Sequence, residues 1–143
     1  MQIREFMTND HRACDEQFVA VEEAVSGGDF AAAKEAFEGF SAHTLHHFEQ
    51  EELYLFEEFS SATGMRGGPV EVMKYEHEQF RTLLTQMRAA IEAQDAAEFF
   101  GLSEAAMILL QQHNMKEEQM LYNMIQMHLG ERNDEIVMHL QQM

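Results

Sequence analysis

The stretch HHFEQEELYLF, residues 46–56, sets His47 and Glu51 four apart in an otherwise apolar helical pattern. QHNMKEEQMLY, residues 112–122, does the same with His113 and Glu117. In an α-helix, residues i and i+4 share a face, with Cβ atoms about 5–6 Å apart. Each pair therefore turns an imidazole and a carboxylate toward the side that the apolar residues would bury.

Four stripes at helical spacing run along the chain. The first is Ile3, Met7, His11, Cys14, Phe18, Val21 and Val25. The second is Phe37, Phe40, Thr44, His47, Glu51, Leu55 and Phe59, and the third Val70, Met73, His77, Phe80, Leu84, Met87 and Ile91. The fourth is Phe99, Ala106, Leu110, His113, Glu117, Met120 and Met124. Strand-like alternation is sustained nowhere. Breakers divide the stripes: SGGD at 26–29, with Asp29 as a helix cap; SSATGMRGGP at 60–69, with Pro69 opening a helix; and QDAAE at 94–98, with Asp95 as a cap. Gly130 closes the fourth piece. The pattern predicts an all-α, up-down-up-down four-helix bundle over residues 1–130 and a short C-terminal helix over 131–143.

The 143 residues are 45% hydrophobic with 8 Gly and 1 Pro, which suits one domain with a sizeable core. Nine Lys and Arg against 26 Asp and Glu give a net charge of −17. Such a surface repels phosphate backbones and anionic lipid, so neither nucleic acid nor a membrane is an expected partner. A single cysteine, Cys14, excludes an internal disulfide. The opening MQIREFMTND has no signal-peptide pattern, and the expectation is a cytoplasmic protein.

Every stripe is interrupted by histidine near its middle. A buried unpaired carboxylate is costly, and no basic residue lies in the stripes to neutralise Glu51 and Glu117. A pair of metal ions would do so. The spacing supports this: His11 to His47 is 36 residues, and so is His77 to His113. The halves superpose with an offset of 66, NDH onto YEH and HFEQEELYLF onto HNMKEEQMLY. Two helix pairs about an approximate two-fold axis would bring four histidines and two glutamates to one centre. With bridging carboxylates, each metal would receive two nitrogens and one oxygen from each glutamate. That donor set suits iron before manganese or zinc. A lone histidine on an apolar face is usually a satisfied core residue, but a duplicated, equally spaced set is far harder to obtain by chance.

The pattern H…HxxxE…H…HxxxE, with EExxLY-like text after each histidine–acid pair, resembles the hemerythrin-like, or HHE cation-binding, family over residues 3 to about 128. The resemblance implies a non-haem di-iron centre in a four-helix bundle. His11 and His47 would hold one iron and His77 and His113 the other. Glu51 and Glu117 would bridge both, with an oxo or hydroxo group as third bridge. The sequence departs from the O2-carrying members, which have a fifth histidine where this chain has Arg81 and end on H-x-x-x-x-D rather than H-x-x-x-E. It is similar instead to four-His, two-Glu members, which include iron- and nitrosative-stress proteins. Donor counting then leaves one open position on each iron.

Six further residues are candidates for the surroundings of the site. Asp15 and Arg81 occupy equivalent places in the two halves and could pair across it or remain solvated; Asp15 could also serve as an extra ligand or hold a histidine. His43 lies one turn before His47. Tyr54, Tyr75 and Tyr122 could hydrogen-bond an iron-bound oxygen or simply pack. Glu52 and Glu118 are expected off the stripe, although a turned helix would make either one the bridge, and Cys14 is expected as a small core residue. Two functions compete. One is binding of, or reaction with, O2, NO or peroxide, with an electron-donor protein as possible partner. The other is iron handling or iron and oxygen sensing without turnover. The Glu-x-x-His pairs of ferritin-like di-iron proteins are absent.

Overall fold

Asp29 and Asp95 begin two of the helices by the same device. The Asp29 carboxylate accepts the Ala32 N–H at 3.0 Å, and that of Asp95 accepts the Glu98 N–H at 3.0 Å. Each cap contributes about 1 kcal/mol by satisfying an otherwise unpaired donor. The computed structural model describes all 143 residues, and they form four helical rods with no strand. The first rod is α1 (Ile3–Ser26). The second is α2 (Phe30–Gln50), which runs through a π-turn at Glu51–Leu55 into α3 (Phe56–Thr63). The third is α4 (Pro69–Glu92). The fourth is α5 (Ala96–Lys116), which runs through a π-turn at Glu117–Leu121 into α6 (Tyr122–Leu129). A 3₁₀ turn at Gly130–Arg132 leads to α7 (Asn133–Gln142). The all-α bundle expected from the stripes is the observed fold.

Of the breaker stretch at 60–69, only residues 64–68 lie between helices. Helix α3 runs on to Thr63, whose hydroxyl donates to the Phe59 carbonyl at 2.8 Å and so needs no loop to satisfy it. Gly64, at φ +75°, ends the helix in the left-handed region that glycine enters without strain.

Two hydrophobic cores stack along the bundle axis. The upper one is rich in phenylalanine: Phe18 and Phe40 lie 4.9 Å apart, and Phe40 meets Phe80 edge-on at 6.5 Å. The lower one contains Ile3, Leu55, Phe59, Leu121 and Ile125, closed by Ile136, Val137 and Leu140 of α7. Burying each such side chain contributes about 1.5–3 kcal/mol. The tail helix is anchored by polar contacts as well. Asn133 Oδ1 accepts the Ile3 N–H at 2.9 Å, and the Gln50 amide donates to the Leu140 carbonyl at 2.9 Å.

The first three stripes are buried as read from the sequence. The fourth slips at its end: Met120 is 46% exposed, while Leu121 and Ile125 are buried. The fourth rod keeps the register of the second, where Leu55 and Phe59 follow Glu51 by four and eight residues; Met120 stands at the place of Tyr54, outside the stripe.

The 66-residue repeat extends to the loops. Gly28 has φ +76°, and its counterpart Gln94 is held at φ +55°. A side chain in that region costs roughly 1 kcal/mol. Gln94→Gly is therefore expected to stabilise the protein by up to about 1 kcal/mol, read from the midpoint of urea unfolding.

Candidate metal centre

Each π-turn begins on an inward glutamate. The Phe56 N–H donates to the Glu51 carbonyl and the Tyr122 N–H to that of Glu117, five residues back in both cases. The widened turn brings the residue five after each glutamate onto the glutamate's own face. Phe56 and Tyr122 thus lie beneath the histidine layer, in the lower core. Phe56 stacks on His77 with ring centroids 6.3 Å apart, and Tyr122 on His11 at 5.5 Å.

The layer itself lies between the two cores. His11, His47, His77, His113, Glu51 and Glu117 are each at most 3% exposed. His11 Nε2 and His113 Nε2 approach Glu117 Oε1 at 3.0 and 3.3 Å. His77 Nε2 and His47 Nε2 approach Glu51 Oε1 at 3.1 and 3.6 Å. Two groups of ligand atoms result, Glu51–His77–His113–Glu117 and His11–His47–Glu117, each with its atoms within 4.8 Å of one another. Glu117 belongs to both. Glu51 Oε1, His77 Nε2, His113 Nε2 and Glu117 Oε2 are buried without a hydrogen-bond partner. Orphaned, convergent nitrogen and oxygen donors are what a bound cation requires and what a metal-free core avoids.

Every inward histidine is held from behind by a carboxylate on Nδ1. Glu118 holds His11 at 2.7 Å, Asp10 holds His47 at 2.7 Å, Glu52 holds His77 at 2.5 Å, and Glu76 holds His113 at 2.9 Å. Such partners fix ring orientation and aim Nε2 at the centre. The carboxylates are tethered in turn by Arg12 on Glu118 at 2.5 Å, Arg81 on Glu52 at 3.2 Å and Lys116 on Glu76 at 2.5 Å. Asp10 meets His43 at 2.5 Å instead, and the other His43 nitrogen faces Gln17 at 2.8 Å. The offset of 66 relates Asp10 to Glu76 and Glu52 to Glu118, so this shell has the symmetry of the site.

Spacing within one helix gives Asp10 and Glu76 no role and places Glu52 and Glu118 off the stripe, with bridging as their alternative; the structure puts Glu51 and Glu117 inward and sets Glu52 and Glu118 behind His77 and His11. Off the stripe they are, partly exposed, yet each reaches the histidine of a neighbouring rod. The available signal was the repeated acid one residue before His11 and His77 and one residue after Glu51 and Glu117.

The other candidates divide. Arg81 acts through Glu52 and lies 5.5 Å over the Phe48 ring, which stacks on His77 at 3.9 Å. His43 acts through Asp10. Asp15 does not pair with Arg81; it meets Arg12 at 3.7 Å and Gln111 at 3.3 Å, because the two positions face different neighbours around the bundle. Tyr54 does not reach the site. It is half-buried and stacks on His139 at 3.8 Å, three residues past Glu51 and so turned toward α7. Tyr122 is fully buried with its hydroxyl among the ligand atoms. Cys14 is buried in the upper core, its thiol pushed up to about 12 by burial and the charge of Asp10.

Electrostatics follow the geometry. Burial disfavours the imidazolium at His11 and His77, but the adjacent carboxylates, Glu117 and Glu118 at the first and Glu51 and Glu52 at the second, outweigh it and raise them to about 10 and about 9. Burial and the charge of Glu117 push Glu51 up. Glu117 is buried too, yet His113, its hydrogen bond with Glu51 and His11 hold it well below the usual carboxylate range. Asp10 is held at about 2, against its burial, by His47 and His43. Without a metal, protons neutralise the buried acids; a metal ion must displace those protons to bind.

A helical bundle whose core holds an enclosed cluster of imidazoles and carboxylates is a cation-binding bundle. The Hemerythrin HHE cation binding domain model matches residues 2–125, and the chain belongs to that family. No curated protein and no solved structure matches the chain. No helix is long and apolar enough to cross a membrane.

Asp10→Asn keeps the shape of its side chain and removes the charge behind His47. It is expected to weaken metal affinity about 10- to 100-fold, whereas Asp15→Asn leaves it unchanged; competition against a chelator measures both.

Proposed function

We propose that the chain holds two iron ions between Glu51 and Glu117 and uses them to bind, or react with, a small ligand such as O2, NO or peroxide. The observation that carries this reading is the pair of ligand groups sharing Glu117, with unpartnered donor atoms in the middle. Four imidazoles with carboxylate oxygens suit a six-coordinate ion such as iron better than a closed tetrahedral one. An iron pair would supply open coordination positions and two reducing equivalents.

The chain's own residues do the rest. Glu118, Asp10, Glu52 and Glu76 keep the four Nε2 atoms aimed inward. The upper and lower cores exclude bulk water and large substrates. On the upper side, a cavity of about 10 Å³ touches His11, His47, Cys14, Thr44 and Asn114, with room for little more than one water-sized molecule. The Thr44 hydroxyl there has no hydrogen-bond partner. This size restricts the ligand to a few atoms. An outside electron donor would restore the reduced pair after any oxidation. Enclosure on all sides favours a resident metal over one delivered elsewhere, since release would require opening the bundle.

Metal content per chain, with absorption spectra in air and after reduction, tests the reading. The expected result is two irons per chain, with near-ultraviolet bands that change on reduction and on adding NO or peroxide. Glu51→Ala combined with Glu117→Ala should lose nearly all of the iron. Zinc alone, or no metal in a fold indifferent to chelator, would contradict it.

A further inference from the structure

The hydroxyl of Tyr122 lies 2.8 Å from Glu51 Oε2, 3.0 Å from Glu117 Oε1, 3.1 Å from His11 Nε2 and 3.3 Å from His47 Nε2. A phenol has one proton to donate and at most two lone pairs to offer. Four close polar neighbours are more than hydrogen bonding can use. Those neighbours are the donors that gather around His11 and His47. An ion about 2.1 Å from nitrogen and oxygen donors keeps adjacent corners of an octahedron about 3 Å apart. The four distances from the Tyr122 oxygen all fall near that value. The oxygen therefore sits where a fifth donor, adjacent to the other four, would sit.

We infer that Tyr122 is itself a metal ligand, binding through its phenolate oxygen the ion held by His11, His47, Glu51 and Glu117. This rests on the iron-pair reading and deepens it. On binding, an oxygen lone pair goes to the ion and the phenol proton leaves to solvent, with no electron transferred.

The other half of the molecule offers no such donor. Phe56 occupies the equivalent place beneath His77 with the same stacking, in a π-turn of the same length, but carries no oxygen. The two metal positions are thus unequal, although the four histidines and two glutamates are symmetric. Tyr122 also approaches from the lower core, whereas the cavity beside His11 and His47 is lined from the upper core by Cys14, Phe48 and Leu110. A small ligand would then meet this ion on the face away from Tyr122.

The chain has three tyrosines, Tyr54, Tyr75 and Tyr122, so spectroscopy can assign the donor. Tyr75 is exposed and Tyr54 stacks on His139, away from the site. The test is visible absorption and resonance Raman of the air-oxidised, iron-loaded protein, with iron counted in each sample. The expected result is a ferric–phenolate charge-transfer band in the native protein. It should persist in full in the Tyr54→Phe plus Tyr75→Phe variant and vanish in Tyr122→Phe. The double variant decides the question even if Tyr122→Phe fails to fold or to retain iron. Two irons per chain with no phenolate band in the native protein, or a band lost in the double variant, would overturn the assignment and leave the iron pair standing. Failure of the native protein to take up iron would overturn both.

Discussion

Two carboxylates buried in an apolar bundle must have their charge met by something, and the arrangement of the molecule around Glu51 and Glu117 follows from that need. The surrounding side chains supply four imidazoles, and behind each imidazole stands another carboxylate. Behind three of those carboxylates stands an Arg or Lys, and behind the fourth stands His43. Charge thus alternates outward from the centre, and each layer orients the one inside it. The hydrophobic cores above and below keep the four imidazoles, Glu51 and Glu117 out of water, where their electrostatic interactions would be weak.

Much of this was legible in the sequence because helical periodicity is a strict geometric rule. Inward residues every three or four positions placed His11, His47, His77 and His113 on facing stripes, and the 66-residue offset related the halves. What periodicity could not see was the widened turn. Both π-turns start on the glutamates, and neither EELYL nor EEQML carries a breaker that announces one. After Glu117, Met120 and Met124 fit a helical stripe as well as Leu121 and Ile125 do, and only the match to Leu55 and Phe59 in the other half selects the latter pair. The same blindness made Tyr54 and Tyr122 look equivalent. Only the five-residue turn carries Tyr122 inward and leaves Tyr54 against α7. Asp10, Glu52, Glu76 and Glu118 were hidden for another reason. They touch histidines on other rods, and contacts between rods follow from packing rather than from any spacing within one helix.

The repeat is also informative where it fails. Backbone features are copied closely, down to the left-handed residue at Gly28 and Gln94 and the aspartate cap that follows it. Side chains diverge around the centre: Phe48 corresponds to Asn114, Cys14 to Phe80, and Phe56 to Tyr122. A symmetric scaffold with an asymmetric lining would give the two proposed ions different surroundings.

The most direct test of the account is anomalous diffraction at the iron edge from crystals of the iron-loaded protein. The account predicts two peaks within the layer of His11, His47, His77 and His113, about 3.5–4 Å apart, with Glu51 and Glu117 reaching both. A single peak, or iron confined to the acidic surface, would contradict it.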